Sequence, residues 1–188
     1  MNIREMKKEL ARLLWEKSYL EGDFTLSSGL KSDYYFDGRQ TSLHPQGAWL
    51  IGHLFAGMLK NMNISGVAGM TMGADPLITA TSLAAREQGL NWPGLIVRKE
   101  AKKHGTGNNI EGMANIAQGN TVALLEDVVS TGGSVIKACE SVRAAGLKAR
   151  DVCTVLDREM GGREAIEAAG CKLHAIFTRQ ELVSLAKG

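Results

Sequence analysis

Apolar and polar positions along this chain alternate between two periods, and the switching predicts its elements. Residues 3 to about 17 place Met6, Leu10, Leu13 and Leu14 on one helical face, with Arg, Lys and Glu opposite. An amphipathic helix is predicted there, packed on the rest of the chain or on a partner, with Gly22 closing the unit. The stretch 24–37 reads FTL and then DYYFD around the turn residues Ser28-Gly29-Leu30-Lys31-Ser32, which predicts an antiparallel hairpin ahead of the regular fold. Short apolar runs follow at 64–70, 95–97, 122–125, 152–156 and 173–177. Helical patterns separate them. One starts at His44-Pro45 and carries Leu50, Leu54, Met58 and Met62, with His53 as a packing or surface residue. Another runs from an Asp75-Pro76 cap and first turn to about Gln88. A third carries Val135, Ala138, Cys139, Val142 and Ala145 and ends at Gly146, and a short one spans 164–169. Strand and helix in alternation predict an α/β fold, a parallel sheet flanked by helices with a small N-terminal hood.

The chemistry concentrates in 121–134, TVALLEDVVSTGGS. An apolar strand, Val122 to Leu125, is closed by two carboxylates, Glu126 and Asp127. Val128 and Val129 lead into Ser130-Thr131-Gly132-Gly133-Ser134, a turn of small residues before a helix. Such a turn leaves backbone N–H groups open at a helix N-terminus, where the dipole also favours an anion. The carboxylates would repel that anion, so they suit sugar hydroxyls or a hydrated Mg²⁺ beside it. A phosphate cradle next to an acid pair reads as a site for a phosphorylated sugar. Neither G-x-x-x-x-G-K-[ST] nor a strand-linked G-x-G-x-x-G occurs, which argues against a P-loop and a Rossmann dinucleotide site.

A second strand end, Thr71-Met72-Gly73-Ala74-Asp75-Pro76, resembles an ordinary βα connection whose Gly69 and Gly73 keep the backbone accessible. A third runs into Arg98-Lys99-Glu100-Ala101-Lys102-Lys103-His104, then glycines and asparagines. That segment reads as a solvated loop, as a lid whose cations neutralise a bound polyanion, or as a nucleic-acid patch. The last ranks lowest, because aromatics are not interleaved and net charge is only +2. A fourth strand end carries Asp157-Arg158-Glu159.

Length and composition narrow the class. The 188 residues fit one well-cored domain, and 44% hydrophobic with 22% charged residues is ordinary for a soluble globular protein. Cys139, Cys153 and Cys171 are scattered among apolar residues, which points to reduced buried thiols. No apolar run is long enough to span a bilayer and no secretory h-region opens the chain, so a cytoplasmic protein without membrane or nucleic-acid partners is expected.

LLEDVVSTGGS resembles the phosphoribosyl-pyrophosphate (PRPP) signature of type I phosphoribosyltransferases. FTLSSGLKSDYYFDGR at 24–39, GMTMGADP at 69–76, RKEAKKHGTG at 98–107 and LDRE at 156–159 are similar, in that order, to the orotate branch. The resemblance implies a single phosphoribosyltransferase domain over 1–188. Residues 1–40 would form the helix and hood of the base site, and 41–188 the α/β core. It implies transfer of phosphoribosyl from PRPP to orotate with Mg²⁺, in a homodimer that shares its active sites. Arg98, Lys99, Lys102, Lys103 and His104 would close over pyrophosphate, with Lys102, His104, Glu126 and Asp127 catalytic. Glu126 and Asp127 would take the ribose hydroxyls or metal-bound water, Ser130 to Ser134 the 5′-phosphate, and Val128 and Val129 would also contact PRPP. Ser130, Arg158, Tyr34 and Tyr35 would address orotate. Some family members carry a lysine where Ser27 stands and a Tyr-Lys pair near Met72, so Lys31 and Arg39 become candidates for the cation facing the carboxylate. A purine-type phosphoribosyltransferase and a PRPP-sensing regulator are the rival readings.

Overall fold

The computed structural model describes residues 1–25, 29, 31–99 and 109–188. Ser27 and the basic residues Lys102, Lys103 and His104 therefore lie outside the described residues.

Helix α1 (Ile3–Lys17) begins at a capping box: the Asn2 side chain accepts the Glu5 N–H, and the Glu5 carboxylate accepts the Asn2 N–H. Its predicted face is the buried one, Met6, Leu10, Ala11, Leu13 and Leu14. Strands β1 (Tyr19–Thr25) and β2 (Lys31–Phe36) form a two-stranded antiparallel sheet separate from the main one. This hairpin starts earlier than the pattern predicts. Gly22 does not close the first unit but lies inside β1, where the register slips between Glu21 and Phe24 and its φ is +154°.

The body follows as a short helix α2 (Arg39–Ser42), α3 (Pro45–Leu59), β3 (Gly66–Met70) and α4 (Asp75–Glu87). Then come β4 (Gly94–Val97), a two-residue β5 (Ile110–Glu111), β6 (Thr121–Val129), α5 (Gly133–Ala144) and β7 (Lys148–Asp157). Helix α6 (Gly162–Ala168), β8 (Lys172–Thr178) and α7 (Arg179–Lys187) complete it. The main sheet has the order β5-β4-β3-β6-β7-β8, parallel except for β5. The fold class is thus the expected one, while α2, β5 and α7 add to the elements that the pattern predicts.

Both faces of the sheet are covered. Ala123, Leu125, Cys153 and Phe177 pack with Leu10, Leu14, Phe55 and Leu77. Val122, Leu124, Val152 and Leu173 pack with Val135, Val142 and Ile166. Alternate residues of β6 feed opposite cores, which is why its sequence is a continuous apolar run rather than an alternating one. Each fully buried Leu or Phe in these layers contributes about 1.5–3 kcal/mol. Met58 and Met62, expected in the core, are only partly buried at its margin. The three cysteines are free and buried. Among the described residues, no helix is long and apolar enough to cross a membrane.

Candidate active site

The site begins with a divergence between strands. Strand β3 pairs with β6 as far as Ala68 and Leu124, then stays with β4 to Met70 and Val97. Strand β6 stays with β7 to Asp157. The sheet order reverses direction between β3 and β6, so a crevice opens at their carboxyl ends, where ligands of open α/β sheets collect.

Glu126 and Asp127 do not terminate β6 as the pattern predicts. The strand runs through them to Val129, since the ladder with β7 continues and Val129 is a core residue. The acid pair is therefore held by sheet hydrogen bonds. Glu126 is 7% exposed, and its Oε2 accepts the Ser134 hydroxyl at 3.2 Å. Burial and then the neighbouring Asp127 charge push it up to about 8. Burial raises Asp127 as well, against the lowering effects of Glu126 and of the Val128 N–H that its Oδ1 accepts at 2.9 Å. Both shifts disfavour a second negative charge on the pair in the free protein. Two glycines make room for it. A Cβ on Gly38 would stand 2.9 Å from the Asp127 Cβ, and one on Gly73 would stand 3.0 Å from its Oδ1.

The acid pair faces a cavity of roughly 650 Å³ whose walls include Tyr35, Arg39, Met72, Lys99 and Ser134. The turn after β6 reaches α5 through Gly132, which takes a left-handed φ of +80°. No side chain caps this helix, in contrast to the capping boxes of α1 and α7. Thr131, Gly133 and Ser134 are exposed, and Ser130 is half-buried. Val129, expected among the PRPP contacts, turns its side chain into the core, so only its backbone is left for a ligand.

The loop after β3 differs from its sequence reading in two details. Gly69 serves packing rather than access, since a Cβ there would lie 2.3 Å from that of Ala74. Asp75 is the first residue of α4 and not its cap, which is Ala74; its Oδ2 accepts the Thr71 hydroxyl at 2.8 Å. After β4, Lys99 lines the cavity while Arg98 binds Glu111 of β5 at 2.7 Å. The Arg98 N–H donates to the Asn109 carbonyl at 2.8 Å, so the ends of the basic segment are tied together.

Tyr34 and Tyr35 point to opposite sides of β2, and the hairpin thereby spans two cavities. Tyr35 lines the one beside Asp127. Tyr34 is buried and lines a second of about 650 Å³ with Lys31, Ser32, Arg158 and Arg179. Arg158 is not the surface ion pair that its acidic neighbours could have made. It is 8% exposed, donates from Nε to the Tyr34 hydroxyl at 2.8 Å and from Nη2 to the Ser32 hydroxyl at 2.9 Å. Its guanidinium lies 4.3 Å from the Tyr34 ring centre. Asp157 pairs with Arg163 instead, at 3.0 Å. Of the two candidate cations, Lys31 lines this second cavity, while Arg39 lies in the first, bound to Asp37 at 2.8 Å. Arg179 and Asp33 escaped the sequence reading. The Thr178–Glu181 capping box was the signal for a helix starting there.

A mostly parallel sheet with an acid pair and a glycine turn at its switch point, beside a separate hairpin, defines a type I phosphoribosyltransferase. A scan against protein-family models finds no match. The chain is 44% identical over 181 residues to an orotate phosphoribosyltransferase from Nostoc sp., covering 96% of this chain and 87% of that one. It is similar to the solved Mycobacterium tuberculosis orotate phosphoribosyltransferase, with a TM-score of 0.82, 38% identity and 94% and 98% of the two chains covered. That protein has also been solved in complex with PRPP, where the TM-score is 0.79 at 34% identity, over 95% and 99% of the chains. The chain belongs to the orotate phosphoribosyltransferase family.

Proposed function

We propose that this chain transfers the 5-phosphoribosyl group of PRPP to orotate, giving orotidine 5′-monophosphate and pyrophosphate in pyrimidine nucleotide synthesis. The observation that carries the reading is the buried Glu126–Asp127 pair facing a cavity beside the uncapped start of α5. Charge develops at the ribose C1 as pyrophosphate leaves. That chemistry calls for a fixed sugar, a neutralised leaving group and excluded water, and no covalent nucleophile is needed.

The roles divide as follows. Backbone amides and hydroxyls of 130–134 take the 5′-phosphate, since α5 offers them at its dipole-positive end. Glu126 and Asp127 accept from the ribose hydroxyls. Lys99 and Arg98 flank the pyrophosphate together with Lys102, Lys103 and His104, and Lys102 stabilises the departing charge. Arg158, Ser130, Tyr34 and Tyr35 form the base site under residues 1–40, with 41–188 as the core. Arg158 is suited to an anionic base because its planar fork matches a carboxylate.

Mg²⁺ fits this site: two adjacent carboxylates line one cavity, and a cation there would offset the second negative charge that burial disfavours. Among the described residues, no group of three or more His, Cys, Asp or Glu is placed to hold a metal ion, so substrate oxygens and water would supply the remaining ligands. When bound, Mg²⁺ offsets the charge of the pyrophosphate. A cytoplasmic homodimer with shared active sites belongs to the same proposal.

The deciding assay follows orotate by ultraviolet absorbance with PRPP and Mg²⁺, against adenine, hypoxanthine and uracil. Loss of orotate that requires both PRPP and Mg²⁺ is expected. Turnover of another base would keep the PRPP half and overturn the base site, and tight PRPP binding without any turnover would favour a sensor. Independently of activity, Asp127→Asn is expected to weaken Mg·PRPP binding about tenfold by calorimetry, the scale of one charge-assisted contact.

A further inference from the structure

The hairpin β1–β2 shares no strand pairing with the main sheet, so something else must hold it over the base cavity. Two guanidinium groups from the body reach it. Arg158 comes from the end of β7, and Arg179 is the first residue of α7. Arg179 donates from Nη2 to Asp33 at 2.6 Å and from Nε to the Tyr19 hydroxyl at 3.2 Å, so it bonds both strands of the hairpin. Its guanidinium also lies 4.1 Å from the centre of the Tyr34 ring. That ring is the one Arg158 approaches at 4.3 Å, and Tyr19 stacks on it at 4.9 Å. The far end of α7 repeats the attachment through Lys187, which contacts Glu21 at 3.3 Å and lies over the Trp15 ring.

We infer that Arg179 is a positioning residue for the base site: through Asp33 and Tyr34 it docks the hairpin so that Arg158 faces the substrate in a fixed orientation. The inference rests on the proposed base site but not on its chemistry. Two positive groups against one ring would repel if left bare. Asp33 offsets the charge of Arg179, and the ring separates its task from that of Arg158. The Asp33 carboxyl is held below the usual range by the Arg179 hydrogen bond, as a formed pair requires. Arg179 has a role of geometry, so its fork matters and its charge alone does not suffice.

Arg179→Gln should raise the KM for orotate about tenfold, the scale of a lost charge-assisted hydrogen-bond pair, while the KM for PRPP moves less than about twofold. Arg179→Lys should not restore it. Asp33→Asn should produce a similar rise, and the double variant should be little worse than either single one, since both cut the same link. Hydrogen exchange gives a readout independent of the base: in Arg179→Gln, amides of 19–25 and 31–36 should exchange faster while those of β6 and β7 keep their protection. Equal shifts in both KM values, full rescue by lysine, additive variants, or exchange that rises everywhere or nowhere would overturn the inference. Wild-type enzyme in the same assay tests the underlying reading separately. If it fails to consume orotate, the proposed function falls, and the exchange experiment still decides whether Arg179 docks the hairpin.

Discussion

Glu126 is a carboxyl group placed where ionisation is costly. Burial and the adjacent Asp127 push it up to about 8, and a raised acid has a definite sign in stability. Between about pH 4.5 and 8 the folded chain keeps a proton that the unfolded chain has released. Stability from this group is therefore complete at the acid end and is lost as pH rises through the folded value, by up to about 1.4 kcal/mol per pH unit. Glu126→Gln removes the titration and keeps an oxygen for the Ser134 hydroxyl. The melting temperature of the wild type is expected to fall more steeply from pH 5 to 8 than that of the variant, leaving the variant the more stable near pH 8. Parallel curves would show that the carboxyl is ionised throughout. The proton has a second consequence under the proposed function. Mg·PRPP set against the pair should expel it, so the binding heat near pH 7 should depend on the ionisation enthalpy of the buffer in the wild type and much less in Glu126→Gln.

The turn between β6 and α5 shows how an element boundary can be read for its chemistry. Gly132 stands at φ +80°, and a Cβ there would come 3.1 Å from the Gly162 carbonyl oxygen and from Ile166. Gly132→Ala is expected to cost about 1–2 kcal/mol for the left-handed backbone alone and to move α5 relative to α6. The checks are a lower urea midpoint and a raised KM for PRPP; an unchanged midpoint would mean the turn relaxes freely. This turn was legible in the sequence because small residues, acids and an apolar run are local signals. So were β3, β4, β6, β7 and β8 and the helices between them. The extent of β6 was not, since only its ladder with β7 carries the strand through two carboxylates. Helix α2 has four residues and β5 has two, too few for any period to show. Arg158 was placed correctly at a strand end, but its burial depends on Tyr34, 124 positions away, and no local pattern contains that contact.

Taken whole, the chain places its charges unevenly, and this bears on how many copies make a site. PRPP carries about five negative charges, and an electrostatic site must offset most of them. Among the described residues, the cations lining the acid-pair cavity are Arg39 and Lys99, and Arg39 is already bound to Asp37. Arg98 is engaged with Glu111 on the antiparallel edge strand. Under the proposed function Lys102, Lys103 and His104 add positive charge to that of Mg²⁺, supplied by the same copy or, in the proposed dimer, by a second one. Kinetics test the chemistry: Lys102→Ala should lower kcat far more than PRPP affinity, because the interaction is made mainly as pyrophosphate departs. Mixing tests the geometry. Assayed with PRPP well below saturation, Lys102→Ala and Asp127→Asn would each impair every site of their own homodimer. If Lys102 acts across the interface, a random mixed dimer concentrates both lesions in one site and leaves the other intact, so about a quarter of the sites in an equal mixture recover. If Lys102 serves its own copy, each site in the mixed dimer carries one lesion and activity stays at the level of the parents. Recovery after mixing would therefore establish the exchange between subunits, and its absence would place the basic segment over the acid pair of its own chain.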